Sequence, residues 1–185
     1  MSLETNYERA GLLAEIRSGF TLDWHGIHGA HHWGRVRYHA RALAVLRGAD
    51  TLVVELFAFL HDSQRHDDYA DRLHGERGAE YARALQGRYF GLDTRQLAQL
   101  THAIEHHSGG EVSTDATIQC CWDADRLDLG RVGIRPHARF LSTHGAERIA
   151  NAYEWSLEAP AGRAPGRSRR RPAWNTTGRR VPWEG

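Results

Sequence analysis

The chain contains no lysine: all 24 of its basic residues are arginine. Every fixed positive side-chain charge is therefore a guanidinium, a planar fork that suits carboxylate or phosphate. Cysteine is scarce too, and its two copies, Cys120 and Cys121, are neighbours. Adjacent cysteines make a poor structural staple, which argues against a disulfide framework and for buried thiols in a reducing compartment. A redox or metal role for the pair is the weaker reading. No apolar run approaches a membrane span, and no charged-then-apolar leader opens the chain, so a soluble, cytoplasmic protein is expected. An alternating strand pattern longer than four residues is also missing, as is any internal repeat. These absences point to an all-α fold.

At 185 residues the chain fits one domain plus a tail. The formal charge of +1 hides an asymmetry. Residues 1–158 carry 17 Arg against 22 acids, about −5. From Ala159 onward, "APAGRAPGRSRRRPAWNTTGRRVPWEG" carries seven Arg against one Glu. A weakly acidic body is not a nucleic-acid-binding domain by its overall charge, and no nucleic-acid or membrane partner is expected for it. The stretch 159–185 reads as a disordered, basic, Pro/Gly-rich extension, with contact to nucleic acid or acidic lipid as the alternative.

What is present reads as helices separated by Gly-rich turns. Residues 4–18 look amphipathic, with Leu12, Leu13 and Ile16 on one side; 19–31 has no helical period. From His32, Val36, Ala40, Leu43 and Leu46 recur at helical spacing, and the helix stops at Gly48. The segment "TLVVELFAFL" from Thr51 holds one charge, Glu55, and leads straight into His61-Asp62. A helix apolar nearly all round belongs inside a protein. A short helix follows over 74–87, ended by Gly87. Asp93 with Gln96 forms a capping box for the next, "TRQLAQLTHAIEHHSGG". Thr114 or Asp115 opens "ATIQCCWDADRLDLG", which Gly130 ends, and a last helix covers 144–157.

Thirteen histidines must be judged one by one, by the helix face each occupies. His32 shares its face with Val36, His39, Ala40 and Leu43, whereas His31 sits with Arg35, Tyr38 and Ala42. His107 has Leu100, Ala103 and Ile104 behind it; His106 has Gln99 and His102. His74 lines up with Gly78, Tyr81 and Leu85. Asp125 lies with Ile118, Cys121, Trp122 and Leu129, and its neighbour Asp123 with Gln119 and Arg126. The inward set is His32, His61, Asp62, His74, His107 and Asp125. One inward histidine is ordinarily a satisfied core residue, and one buried Asp beside Arg an ion pair. Six such groups from five helices fit that explanation poorly. Imidazole nitrogens with carboxylate oxygens are what a divalent transition metal requires, and the cation would offset the burial of His61-Asp62.

These residues resemble the HD superfamily, all-helical metal-dependent phosphohydrolases named for a His-Asp doublet. "HWGRV" at 32–36 is similar to the family's HxxRV-like motif, "LHD" at 60–62 to the doublet, and "DADRLD" at 123–128 to the last aspartate motif. The match covers about 25–135, and "HGERGA" and "IEHHSGG" look like the intervening histidines of members that hold two metals. Bacterial HD-domain proteins with an "HG..HW.RV" opening and a "CWDADRLDLGRVGI" segment are the nearest likeness. The resemblance implies an HD helical bundle in which His32, His61, Asp62 and Asp125 form one metal site. His74 and His107 would complete a second, bridged by Asp62. The doubled histidines leave each choice open by one residue; the face test selects His32 over His31 and His107 over His106.

The function implied is hydrolysis of a phosphomonoester, phosphodiester or nucleotide with one or two Mn, Fe, Ni or Zn ions. A metal lowers the pKa of bound water and polarises the phosphoryl oxygen. Asp62 or Asp123 would orient that water, and Arg65 and Arg126 would hold phosphate, each arginine being equally readable as a surface charge or ion-pair partner. Spacing alone does not separate this from an HD-type di-iron oxygenase, which is the runner-up. A third reading is a non-catalytic binding domain whose metal only stabilises the fold. The expected partner is a small phosphorylated molecule, with homo-oligomerisation left open.

Overall fold

The structure, a computed structural model, describes residues 7–157. The expected tail at 159–185 lies outside the described residues. Eight α-helices run in the order α1 (Arg9–Gly19), α2 (Ala30–Arg47), α3 (Thr51–Leu60), α4 (His74–Leu85), α5 (Thr94–His106), α6 (Ala116–Leu127), α7 (Thr143–Ala146) and α8 (Ile149–Leu157). Among the described residues there is no strand, only isolated bridges from Tyr7 and Gln86 to Phe90. None of the described helices is long and apolar enough to cross a membrane.

The centre of the bundle is α3, in contact with α2, α4, α5 and α6. Its residues Val53 to Leu60 are all buried, as an unpatterned apolar helix must be. Asp50 starts it, accepting from the amides of Leu52 (2.9 Å) and Val53 (3.0 Å), just after Gly48 ends α2 in the left-handed conformation at φ 64°. Glu55, the one charge on α3, is 2% exposed. It is tolerated because Arg9 (2.8 Å), Arg37 (3.1 Å) and Arg41 (2.5 Å) converge on it, with the Tyr7 hydroxyl at 3.2 Å. Burial pushes its carboxyl up, but Arg41 and Arg37 hold it below its ordinary value.

The caps also fix how helices meet. The Asp93–Gln96 capping box forms as expected, and the Gln96 amide reaches on to Asp50 (2.8 Å) at the start of α3. Asp115 caps α6 and accepts from Gln99 of α5 (2.8 Å). Between α4 and α5 the backbones approach closely: a Cβ on Gly75 would lie 2.7 Å from the Glu105 carbonyl oxygen. That approach sets His74, the first residue of α4, beside the end of α5.

Several boundaries differ from the sequence reading: α1 begins at Arg9 rather than residue 4, α2 at Ala30 rather than His32, and α4 ends at Leu85 rather than Gly87. Helix α6 ends at Leu127, not Gly130; a 3-10 turn over Leu129–Val132 follows, and Gly133 is the left-handed stop at φ 78°. Gly130 serves a close contact instead, since a Cβ there would meet Ser156 Oγ at 2.0 Å. The last helix is broken into α7 and α8. Ser142 caps α7 through the Gly145 amide (3.1 Å) and binds Asp123 of α6. So anchored to α6, the chain must turn again after Ala146 before α8 packs on the 129–132 turn.

Candidate metal centre

Helix α2 brings His32 in its first turn, and α3 ends at His61, its C-cap, with Asp62 next. His32 Nδ1 donates to Asp128 Oδ2 (2.6 Å), and His61 Nδ1 donates to the Phe57 carbonyl (3.1 Å) while its ring stacks on Phe57. With both Nδ1 protons committed, both Nε2 atoms point inward as lone pairs, 3.0 Å apart. Asp62 Oδ2 lies 3.6 Å from one and 3.7 Å from the other. Asp125 Oδ1, from the last turns of α6, lies 3.4 and 3.8 Å from the same two nitrogens.

A second cluster repeats this plan on the other oxygen of Asp62. His74 Nδ1 donates to the Asp71 carbonyl, and His107 Nδ1 to the Ile104 carbonyl (2.6 Å). Their Nε2 atoms are 3.0 Å apart, and each is 3.5 Å from Asp62 Oδ1. His32, His61 and Asp62, and Asp62, His74 and His107, are thus two buried groups that could hold a metal ion.

Three observations fit cations here. Paired imidazole lone pairs facing each other are repulsive without an electrophile between them. Asp62 Oδ1 is buried and takes no well-formed hydrogen bond, a costly state for a carboxylate oxygen. Triangles with sides of 3.0 to 3.7 Å contain a point about 2 Å from each corner, the length of zinc–nitrogen and zinc–oxygen bonds (~2.0–2.2 Å). The charge states agree at both carboxylates and at three of the four histidines, His107 being the exception. Burial pushes His32 well below its ordinary value, lowers His61, and takes His74 down to about 3. Burial also lowers His107, but Asp62 and Asp125 raise it overall. For Asp62 and Asp125 burial acts upward, but the surrounding histidines, with Arg65 at Asp62 and Arg131 at Asp125, hold both carboxylates down.

All six residues of the inward set are therefore brought together, and in each doublet the second histidine is the buried one. His31 is exposed, pairing with His25 (3.3 Å), and the His106 side chain is 41% exposed. Arg65 stands at the edge of the second cluster, its Nη1 3.5 Å from Asp62 Oδ1 and 3.3 Å from His74 Nε2. The structure places Asp123 and Arg126 elsewhere. Asp123 is fully buried and accepts from Gln119 (2.6 Å) and Ser142. Arg126 donates to the Phe140 carbonyl (2.6 Å) and lies over the Trp122 ring. Both secure the 140–145 segment against α6.

Sequence reasoning missed three supports. His28 Nδ1 donates to Asp62 Oδ2 at 2.7 Å. It lies in the loop before α2, where no helical period exists to test. Asp128 accepts from His32 and from Arg35 through a fork (2.6 and 3.0 Å). It sits three residues after Asp125, at the α6 C-cap, so the spacing that selected Asp125 could have found it. Arg131 joins the Asp128 carbonyl (3.2 Å) to that of Ile27 (2.8 Å), tying the loop to the α6 end. Cys120 and Cys121 are free and buried, with thiols pushed up by burial, to about 11 for Cys120. They stand apart from the cluster.

No family model matches the chain, and no curated protein matches it. Among solved structures it is similar to a predicted HD superfamily hydrolase from an uncultured Thermotogales bacterium. The match has a TM-score of 0.63 at 26% identity and covers 82% of this chain and 88% of that one.

Proposed function

We propose that this chain, whose motifs and fold are of HD-superfamily type, is a divalent-metal-dependent phosphohydrolase acting on a phosphomonoester, phosphodiester or nucleotide. At family level, the likeness to a predicted HD hydrolase and the His/Asp clusters support a metal-dependent hydrolase. The observation that favours a phosphorylated substrate is Arg65, a guanidinium 3.5 Å from the carboxylate shared by both clusters. A planar cationic fork beside a metal centre suits an anionic group with several oxygens.

His32, His61, Asp62 and Asp125 would hold the first ion, and Asp62, His74 and His107 a second. Nitrogen and oxygen donors without thiolate suit Mn, Fe, Ni or Zn. A bound ion supplies a water of lowered pKa and polarisation of a phosphoryl oxygen. The protein's own groups do the rest. The Nδ1 hydrogen bonds of the four histidines fix tautomer and ring orientation, so that Nε2 faces inward. His28 sets the plane of the Asp62 carboxylate. The Asp125 side chain, at 12% exposure the most open of the six, marks where solvent and substrate reach the cluster. Arg65, at the edge of the second cluster, would hold the phosphate.

The test is elemental analysis of protein purified without chelator, paired with a panel of phosphomonoesters, phosphodiesters and nucleotides. At least one transition metal per chain and turnover on one substrate class are expected, with metal and turnover both lost in Asp62→Ala. A metal-loaded protein that hydrolyses none of the panel and consumes O₂ with an organic substrate would replace this reading with the di-iron oxygenase one.

A further inference from the structure

The two clusters are chemically unequal. The first collects two imidazoles and two carboxylate oxygens, from Asp62 and Asp125. The second collects two imidazoles and only the other oxygen of Asp62. It also has a permanent cation at its edge. Arg65 Nη1 is 3.3 Å from His74 Nε2 and 3.5 Å from Asp62 Oδ1, two of the three donors of that cluster. Its distances resemble those between the donors themselves, so the guanidinium nitrogen stands where a fourth donor would be. It has no lone pair to give.

Arg65 is 9% exposed, and its Nε donates to the Asp67 carbonyl (3.2 Å). The ring nitrogen it meets on His74 is the lone pair a metal would use, because Nδ1 of that ring is committed to Asp71. A guanidinium so placed competes with a metal ion for the same lone pair and the same carboxylate oxygen. Like charges this close repel strongly wherever water is excluded.

We propose that Arg65 makes the second metal site weak and conditional on phosphate: the first site fills alone, and the second fills tightly only when a phosphate engages the guanidinium. An anion on Arg65 offsets its charge and gives its donors another acceptor, freeing His74 Nε2 and Asp62 Oδ1. Metal and phosphate then bind cooperatively, each raising the affinity of the other by the same factor. The second ion would be complete only in the presence of the group to be attacked. This inference rests on the metal-centre reading above and adds to it the order in which the parts assemble.

The experiment is a Mn²⁺ titration of the full-length, chelator-stripped protein by calorimetry and electron paramagnetic resonance, with and without inorganic phosphate. Wild type should show two classes of site at least about tenfold apart in affinity. Phosphate should tighten only the weak class. In Arg65→Gln the weak class should tighten by at least about tenfold without phosphate, and phosphate should then add nothing. Arg65→Lys keeps the charge and should keep the weak class weak. Two equally tight sites in wild type, or a wild-type weak site indifferent to phosphate, would overturn the proposal even if Arg65→Gln failed to fold. No Mn²⁺ uptake at all would overturn it together with the metal reading. The expected titration in a protein that hydrolyses no phosphoester would uphold it and overturn the hydrolase reading alone.

Discussion

At the scale of single residues, the cluster depends on side chains that would never touch a metal. Asp128 is fully buried, holds Nδ1 of His32, and neutralises Arg35, itself 8% exposed. Asp128→Asn halves that acceptor set and removes the charge. It is expected to weaken metal binding by about 10–100-fold, through a misoriented His32. Leaving Arg35 buried without its counter-charge should also cost about 3–5 kcal/mol of stability. Chelator competition and urea denaturation read the two effects separately; unchanged metal affinity would show that Asp128 does not orient the ring. Legibility at this scale followed periodicity. His32 and His107 could be told from His31 and His106 because each lies on or beside a helix whose faces the sequence displays. His28 could not, since its loop has no period, and the water-orienting role expected of Asp123 could not be tested locally, because its partner Ser142 is distant in sequence.

At the scale of elements, the caps and the apolar run of α3 could be read directly, because each is a local signal within a few residues. The break between α7 and α8 could not, because it follows from where Asp123 pins the chain. The close approach of α4 to α5 is another feature of tertiary origin, and it brings His74 within 3.0 Å of His107. A methyl group on Gly75 would meet the backbone oxygens of Glu105 at 2.7 Å and Ile104 at 2.9 Å. Neither can rotate away as a side chain would, so the helices must separate. Gly75→Ala is therefore expected to destabilise the fold by about 1–3 kcal/mol, despite the better helix propensity of alanine. It should also loosen the second cluster while sparing the first, whose residues come from α2, α3 and α6. Thermal melting and a Mn²⁺ titration would check both parts. A variant as stable as wild type with both sites intact would mean the contact is not close enough to matter.

At the scale of the whole molecule, the all-α bundle was legible because helical periods, caps and the missing strand pattern agree with one another, which is how a sequence specifies a single fold. What remained hidden is how a buried polar group outside the metal cluster is treated. His39 shares the inward face of α2 with His32, yet it is only 4% exposed, and neither ring nitrogen has a hydrogen-bond partner. It packs edge-on against Tyr38 and Trp155, linking α2 to α8. Burial lowers its pKa from 6.5 to about 4; Asp128 opposes the shift, and Arg148 and Arg35 add to it. The folded value lies below the unfolded one, so below pH 6.5 the unfolded chain takes up a proton that the folded one refuses. Stability is then complete above that pH, declines as pH falls, and levels off near 4, a loss of about 3 kcal/mol from this residue. His39→Leu cannot titrate and keeps an apolar body in the same place. Urea denaturation at about pH 7.5 and about pH 4.5 should show the variant losing about 2.5 kcal/mol less than wild type between the two. It should also be no less stable than wild type at the higher pH, because no unpaired ring nitrogen remains to be buried. The difference between the two proteins isolates His39 from the carboxylates and histidines of the metal cluster, which titrate in both. Parallel losses in wild type and variant would mean that the ring is solvated in solution and that α8 does not seal it against α2.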